Sequence, residues 1–135
     1  MERVRKRASR IGYAVGGDGR GVVYARMGDG HGQVLRAPFR LEQRAVSGRE
    51  AGFAALCAIV PSLRKHASEL DLILDDAELV ADLTLHRELP VDLMLPYVRA
   101  RCALNAFKAV RLRASTAPND LAARALAEVS MRIAA

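Results

Sequence analysis

The chain has no tryptophan and only three tyrosines and three phenylalanines in 135 residues, so any core it builds is aliphatic. Its two cysteines, Cys57 and Cys102, stand in apolar helical contexts, far from a second thiol or a histidine at ligand spacing. That excludes a disulfide framework and a zinc site, and reads as two buried free thiols. His31, His66 and His86 are scattered and take no role. No apolar run is long enough to span a bilayer, which excludes a membrane helix. The N-terminus lacks the apolar middle of a secretory signal, so the expected location is cytoplasmic. Acid is the scarcer charge, 15 Asp and Glu against 21 Lys and Arg, for a net +6. Five basic residues, Arg3, Arg5, Lys6, Arg7 and Arg10, crowd the first ten positions. A surplus of this kind suits a phosphate-binding surface, and a solvated basic tail accounts for it equally well.

What the chain does have is aliphatic surface: 51% of its residues are apolar, enough for one domain with a real core. The expected division is a basic arm over residues 1–9 and a single domain over 10–135. Its organising stretch is Leu70-Asp71-Leu72-Ile73-Leu74-Asp75-Asp76, an apolar run that ends in two carboxylates just before a helical pattern. Such a run reads as a buried parallel strand, and ligands of open α/β sheets gather at the carboxyl ends of these strands.

Ahead of it, Ile11–Val15, Val22–Met27 and Gln33–Val46 alternate as strands joined by glycine-dense turns, an antiparallel meander. Pro38 implies an edge position or a bulge in the third strand. Ser47 and Glu50 form a capping-box pattern before the apolar helix Ala51–Val60, which Pro61 ends or kinks. After Leu70–Leu74 come helices over Asp76–Glu88 and Leu93–Phe107, a strand over Ala109–Ala114, and a final helix carrying Leu121, Leu126, Val129 and Ile133. The order β-β-β-α-β-α-α-β-α predicts an α/β fold, a mixed five-stranded sheet with helices on its faces.

Four acids stand out in this order: Asp18 after the first strand, Glu50 in the first turn of the first helix, Asp76 after the fourth strand, and Asp120 opening the last helix. Carboxylates that converge from separate elements repel unless cations lie between them, and hard oxygen ligands suit Mg²⁺ or Mn²⁺. Each acid also has a plain structural reading. Glu50, Asp76 and Asp120 sit where capping and the helix dipole favour an acid, and Asp18 sits in a Gly-Asp-Gly turn.

These segments resemble the type 1 ribonuclease H family of the ribonuclease H-like superfamily, over residues 10–133. Val15-Gly16-Gly17-Asp18-Gly19-Arg20 is similar to the family's strand that ends in Asp-Gly-Ser and leads into the meander. Glu50-Ala51-Gly52-Phe53-Ala54-Ala55-Leu56 corresponds to its Glu ahead of an Ala/Leu-rich run. Asp76-Ala77-Glu78-Leu79-Val80 is similar to its Asp motif after the fourth strand, which makes Asp76 rather than Asp75 the implied ligand. The family's closing Ala-Asp-x-Leu-Ala corresponds to Ala123-Arg124-Ala125-Leu126-Ala127, so Arg124 stands where a fourth acid is usual, and Asp120 is the candidate substitute.

The resemblance implies a ribonuclease H-like sheet, a three-stranded antiparallel meander plus two parallel strands. It further implies a nuclease that cleaves the RNA strand of RNA–DNA hybrids, with Asp18, Glu50 and Asp76 holding Mg²⁺ or Mn²⁺ and Asp120 completing the catalytic acids. Arg3, Arg5, Lys6, Arg7 and Arg124 would grip phosphates of a hybrid or of double-stranded RNA. In the alternative, a binding module without catalysis, Arg124 repels the second cation and contacts phosphate directly. A third possibility is a basic interaction domain without nucleic acid.

Overall fold

The computed structural model of the chain describes residues 6–28, 33–41, 48–85 and 87–134, without the side chains of residues 6–8, 48 and 132–134. Three strands come first, β1 (Lys6–Val15), β2 (Arg20–Met27) and β3 (Val34–Arg40). Then follow α1 (Gly48–Arg64), β4 (Glu69–Leu74), α2 (Ala77–Leu85), α3 (Val91–Leu104), β5 (Ala109–Ala114) and α4 (Asp120–Ala134). The five strands lie in the order β3-β2-β1-β4-β5. β1 pairs antiparallel with β2, and β2 with β3, while β1–β4 and β4–β5 are parallel. The expected mixed sheet is therefore present, with the Leu70–Leu74 run in the interior beside β1.

Alternation decides the two faces of β4. Leu70, Leu72 and Leu74 are buried against α1 and α2 in the main core, with Ile11, Val23, Phe53, Leu56, Ile59 and Leu79. Each such leucine stabilises the fold by about 1.5–3 kcal/mol relative to exposure. A smaller cluster on the opposite face joins Val22 and Tyr24 of β2 to Leu121, Ala125 and Val129 of α4. α4 reaches β1 closely because Gly12 has no side chain: a Cβ there would fall 2.2 Å from the Ala122 backbone nitrogen. The last helix packs on β1 and β2.

Several expectations are corrected. β1 begins at Lys6 instead of Ile11, and Lys6–Arg10 pair with Glu69–Ile73, while residues 1–5 of the expected arm lie outside the described residues. α1 runs through Pro61 to Arg64, because a proline this late forfeits one bond while Ile59, Val60 and Leu63 stay buried. The third strand stops at Arg40, and Ser47 of the capping box lies outside the described residues. Cys102 is exposed rather than buried, and so are Leu95, Val98 and Leu126. Among the described residues no helix is long and apolar enough to cross a membrane.

Candidate functional site

The carboxyl end of β4 is where the sheet gathers polar groups. Asp76 caps α2, its Oδ1 accepting from the backbone N–H of Glu78 at 2.9 Å and of Leu79 at 3.3 Å. Asp75, beside the implied ligand, accepts as many bonds, but from groups distant in the chain. Arg10 of β1 donates to it at 2.5 Å and the Asn119 amide at 2.9 Å. Arg10 also donates to the Ala117 carbonyl at 2.8 Å. Asn119 in turn caps α4, accepting from the Leu121 N–H at 3.0 Å, and donates to the Ile11 carbonyl at 2.9 Å. One guanidinium and one amide thus tie β1, β4 and the start of α4 into a single knot around Asp75.

Beneath this knot, on the core side of the sheet, lies Tyr13. Its hydroxyl and Leu79 fill the junction between the first turn of α1 and the start of α2. A Cβ on Gly52 would lie 2.9 Å from the hydroxyl oxygen and 2.6 Å from a Leu79 methyl. Burial, reinforced by the negative charges of Asp76 and Asp75, pushes the Tyr13 phenol up to about 12. Glu50, two residues before Gly52, is buried at 5% exposure.

The other expected ligands lie elsewhere. Asp18 is a turn residue, its Oδ1 accepting from the Arg20 N–H at 3.0 Å. Ile11 is level with Leu74 by the parallel register, and β1 continues to Val15 before the turn. At about 3.3 Å per residue the turn begins roughly 13 Å beyond that level. Asp120 faces β2, where Arg26 holds it at 2.9 and 2.7 Å and, as the main cause, lowers its pKa. Arg124 stacks over the Tyr24 ring, 4.6 Å from its centroid, so it faces β2 and does not point toward Asp76. Arg3 and Arg5 lie outside the described residues, and Lys6 and Arg7 are placed in β1 by their backbone alone.

The residues present do not fit a paired-cation site. Among the described residues no three His, Cys, Asp or Glu side chains come close enough to hold a metal ion. Asp18, Glu50 and Asp76 therefore do not form the expected Mg²⁺ or Mn²⁺ cluster, and Asp120 does not complete it. The reason is physical: Asp18 is too far along the hairpin, Asp120 is held on β2, and Tyr13 and Leu79 occupy the α1–α2 junction.

One charged group escaped the sequence reading. Asp82 in α2 is fully buried, accepting from Arg49 at 2.9 and 2.6 Å and from Arg87 at 2.6 Å. Burial raises its pKa, but the bonds from Arg49 and Arg87 together outweigh this, and the carboxyl ends below its ordinary value. The signal was available: Leu79, Asp82 and Leu83 share one helical face, which puts an acid in a buried stripe.

The face of β4 and β5 beside α4 is basic. Arg10, Ile73 and Arg113 are register neighbours on it, and so are Asp71 and Arg111. Asp71 holds Arg113 at 3.0 and 3.1 Å, and Arg111 is exposed.

No protein-family model matches the chain. No curated protein matches it either. Solved structures do. Ribonuclease H1 of the halophilic archaeon Halobacterium salinarum NRC-1 superposes with a TM-score of 0.70 at 22% identity, covering 94% of this chain and 98% of that one. The N-terminal ribonuclease H domain of a Mycobacterium tuberculosis protein, solved fused to maltose-binding protein, gives 0.67 at 17% identity, covering 96% and 99%. Strand order, strand direction and nearly full mutual coverage agree, and the chain has the ribonuclease H-like fold.

Proposed function

We propose that the chain is a nucleic-acid-binding module on the ribonuclease H-like fold, seating the phosphates of an RNA–DNA hybrid or double-stranded RNA without hydrolysing them. The observation that carries this reading is the Arg10–Asp75 pair. Where β1 and β4 run side by side, the first carboxylate after β4 is neutralised by a guanidinium, and Asp76 serves as a helix cap. The net charge of +6 supports it, as does the basic face of β4 and β5. Arg111 and Arg113 are the residues we assign to phosphate contact, together with the N-terminal Arg3, Arg5, Lys6 and Arg7.

The test is fluorescence anisotropy with a labelled hybrid over a salt series. Each phosphate neutralised contributes about −0.9 to the slope of log K against log salt. Arg111→Ala and Arg113→Ala should each flatten that slope by roughly one contact. Binding that ignores salt would defeat the reading.

A second reading, Mg²⁺- or Mn²⁺-dependent cleavage of the RNA strand, is favoured by one arrangement. Asp75 and Asp76 both act on Tyr13, which abuts the α1 turn that carries Glu50. Cleavage of a hybrid by the wild type that Asp76→Asn abolishes would establish this reading and displace the first. Asn caps a helix about as well as Asp, so that variant should stay folded.

A further inference from the structure

α3 is apolar on two opposite sides. Leu93, Ala100 and Leu104 are buried against the rest of the domain. On the outward side Val91 is 86% exposed, Met94 and Leu95 are each 53% exposed, and Val98 is 48% exposed. Exposed Cys102 extends the row. These residues recur at i, i+3, i+4, i+7 and i+11, the spacing of a helix–helix seam. At 100° per residue the stripe is centred opposite the buried one, so no rotation of α3 within the domain would hide both. Its exposed apolar area is roughly 400 Å², the size of the largest apolar patch on a typical monomer, which is often functional.

We infer that this stripe is the interface of a symmetric dimer, with a second copy of the chain docking α3 antiparallel to α3. Charge placement selects that occupant. Asp92 and Arg99 are both exposed, lie on the same flank of the stripe, and sit seven residues apart at its two ends. A two-fold axis beside Leu95 and Pro96 brings Asp92 of each copy opposite Arg99 of the other, on the same flank. Val98 then nests between Val91 and Met94 of the second copy. A guanidinium carries five N–H donors, so Arg99 can serve this carboxylate beside its contacts within its own chain. Two such stripes bury roughly 800 Å² of apolar surface in total, and the polar rims that include Asp92 and Arg99 add to it, which puts the contact at the small end of specific interfaces. This inference is independent of the proposed function, since α3 packs on α1, away from the open face of β4 and β5.

Sedimentation equilibrium of the whole chain tests it. The wild type should sediment at twice the mass of one chain. Val98→Glu, on an exposed position with circular dichroism unchanged, should weaken self-association at least about 30-fold, as loss of a central apolar contact does. Asp92→Arg should also weaken it, and adding Arg99→Asp to Asp92→Arg should restore it. A wild type that stays at one-chain mass up to roughly 0.2 mM overturns the proposal, because even a tens-of-micromolar dimer would be populated there. A dimer indifferent to Val98→Glu places the interface elsewhere and overturns it too. A charge-swapped double variant no better than the single one refutes the antiparallel register.

Discussion

Replacing Asp82 by Asn tests the electrostatic reading most sharply. The carboxylate is buried and binds two guanidiniums through three hydrogen bonds, tying α2 to the first turn of α1 and to Arg87 beyond the helix. Breaking a buried ion pair by removing one partner typically costs about 3–5 kcal/mol. Here the guanidiniums are partly open, with Arg49 27% and Arg87 37% exposed, so screening reduces that figure. Asn keeps the volume and one acceptor but turns an amide N–H₂ toward a donor. The expected loss is about 2–3 kcal/mol, which at this chain length lowers Tm by roughly 8–10 °C. Urea denaturation should show a lower midpoint with an unchanged m-value.

The same group contributes to the acid limb of stability. Its pKa is lowered on folding, so its contribution is present above the unfolded value near 4 and is lost as pH falls through the depressed folded value. The gap between wild type and Asp82→Asn should therefore shrink below about pH 4. A loss under about 1 kcal/mol at neutral pH would show that both arginines relax into water, and would refute the argument.

Gly12→Ala should be among the most damaging single substitutions. The new Cβ meets the Ala122 backbone at 2.2 Å, and neither strand nor helix can yield cheaply, so a loss above about 3 kcal/mol is expected in thermal unfolding. Tyr13 should resist ionisation until about pH 12, later than an ordinary tyrosine, in an ultraviolet titration. Because folding raises its pKa, its stabilising share is intact below pH ~10 and fades as pH rises toward 12. Arg10→Asp sets a second carboxylate against Asp75 and should raise calorimetric Mn²⁺ affinity over wild type. Equal heats from the two proteins would show that the charge of Arg10 does not set cation affinity at Asp75.

The parts of the fold legible in the sequence are those where local pattern and tertiary burial agree. β5 spans Ala109–Ala114, as its apolar–basic alternation predicts, and β4 lies beside β1 as its leucine run requires. Lys6–Ser9 falls within the expected basic arm because it is charged and lacks an apolar alternation. It is a strand because β4 offers it a parallel partner, which no local pattern records. The acids were the hardest to read, since a helix cap and a cation ligand ask for the same residue at the same place. What separates them is a partner distant in the chain: Arg10 lies 65 positions from Asp75, and Arg26 lies 94 from Asp120. The helix expected over Leu93–Phe107 is present as α3, but its apolar residues divide between a buried and an exposed side, which spacing along the chain alone does not assign.

The parallel pairing of β1 with β4 also sets the order in which the molecule can be made. The meander β1–β2–β3 closes through short turns, but the middle of the sheet waits for a segment some sixty residues later. Until α4 emerges last, Val22 and Tyr24 on the other face have no cover. A chain growing on the ribosome would thus present a half-built sheet, one apolar side dressed and the other bare. Its vulnerability to aggregation should end once the fifteen residues of α4 have emerged and seated themselves over Gly12.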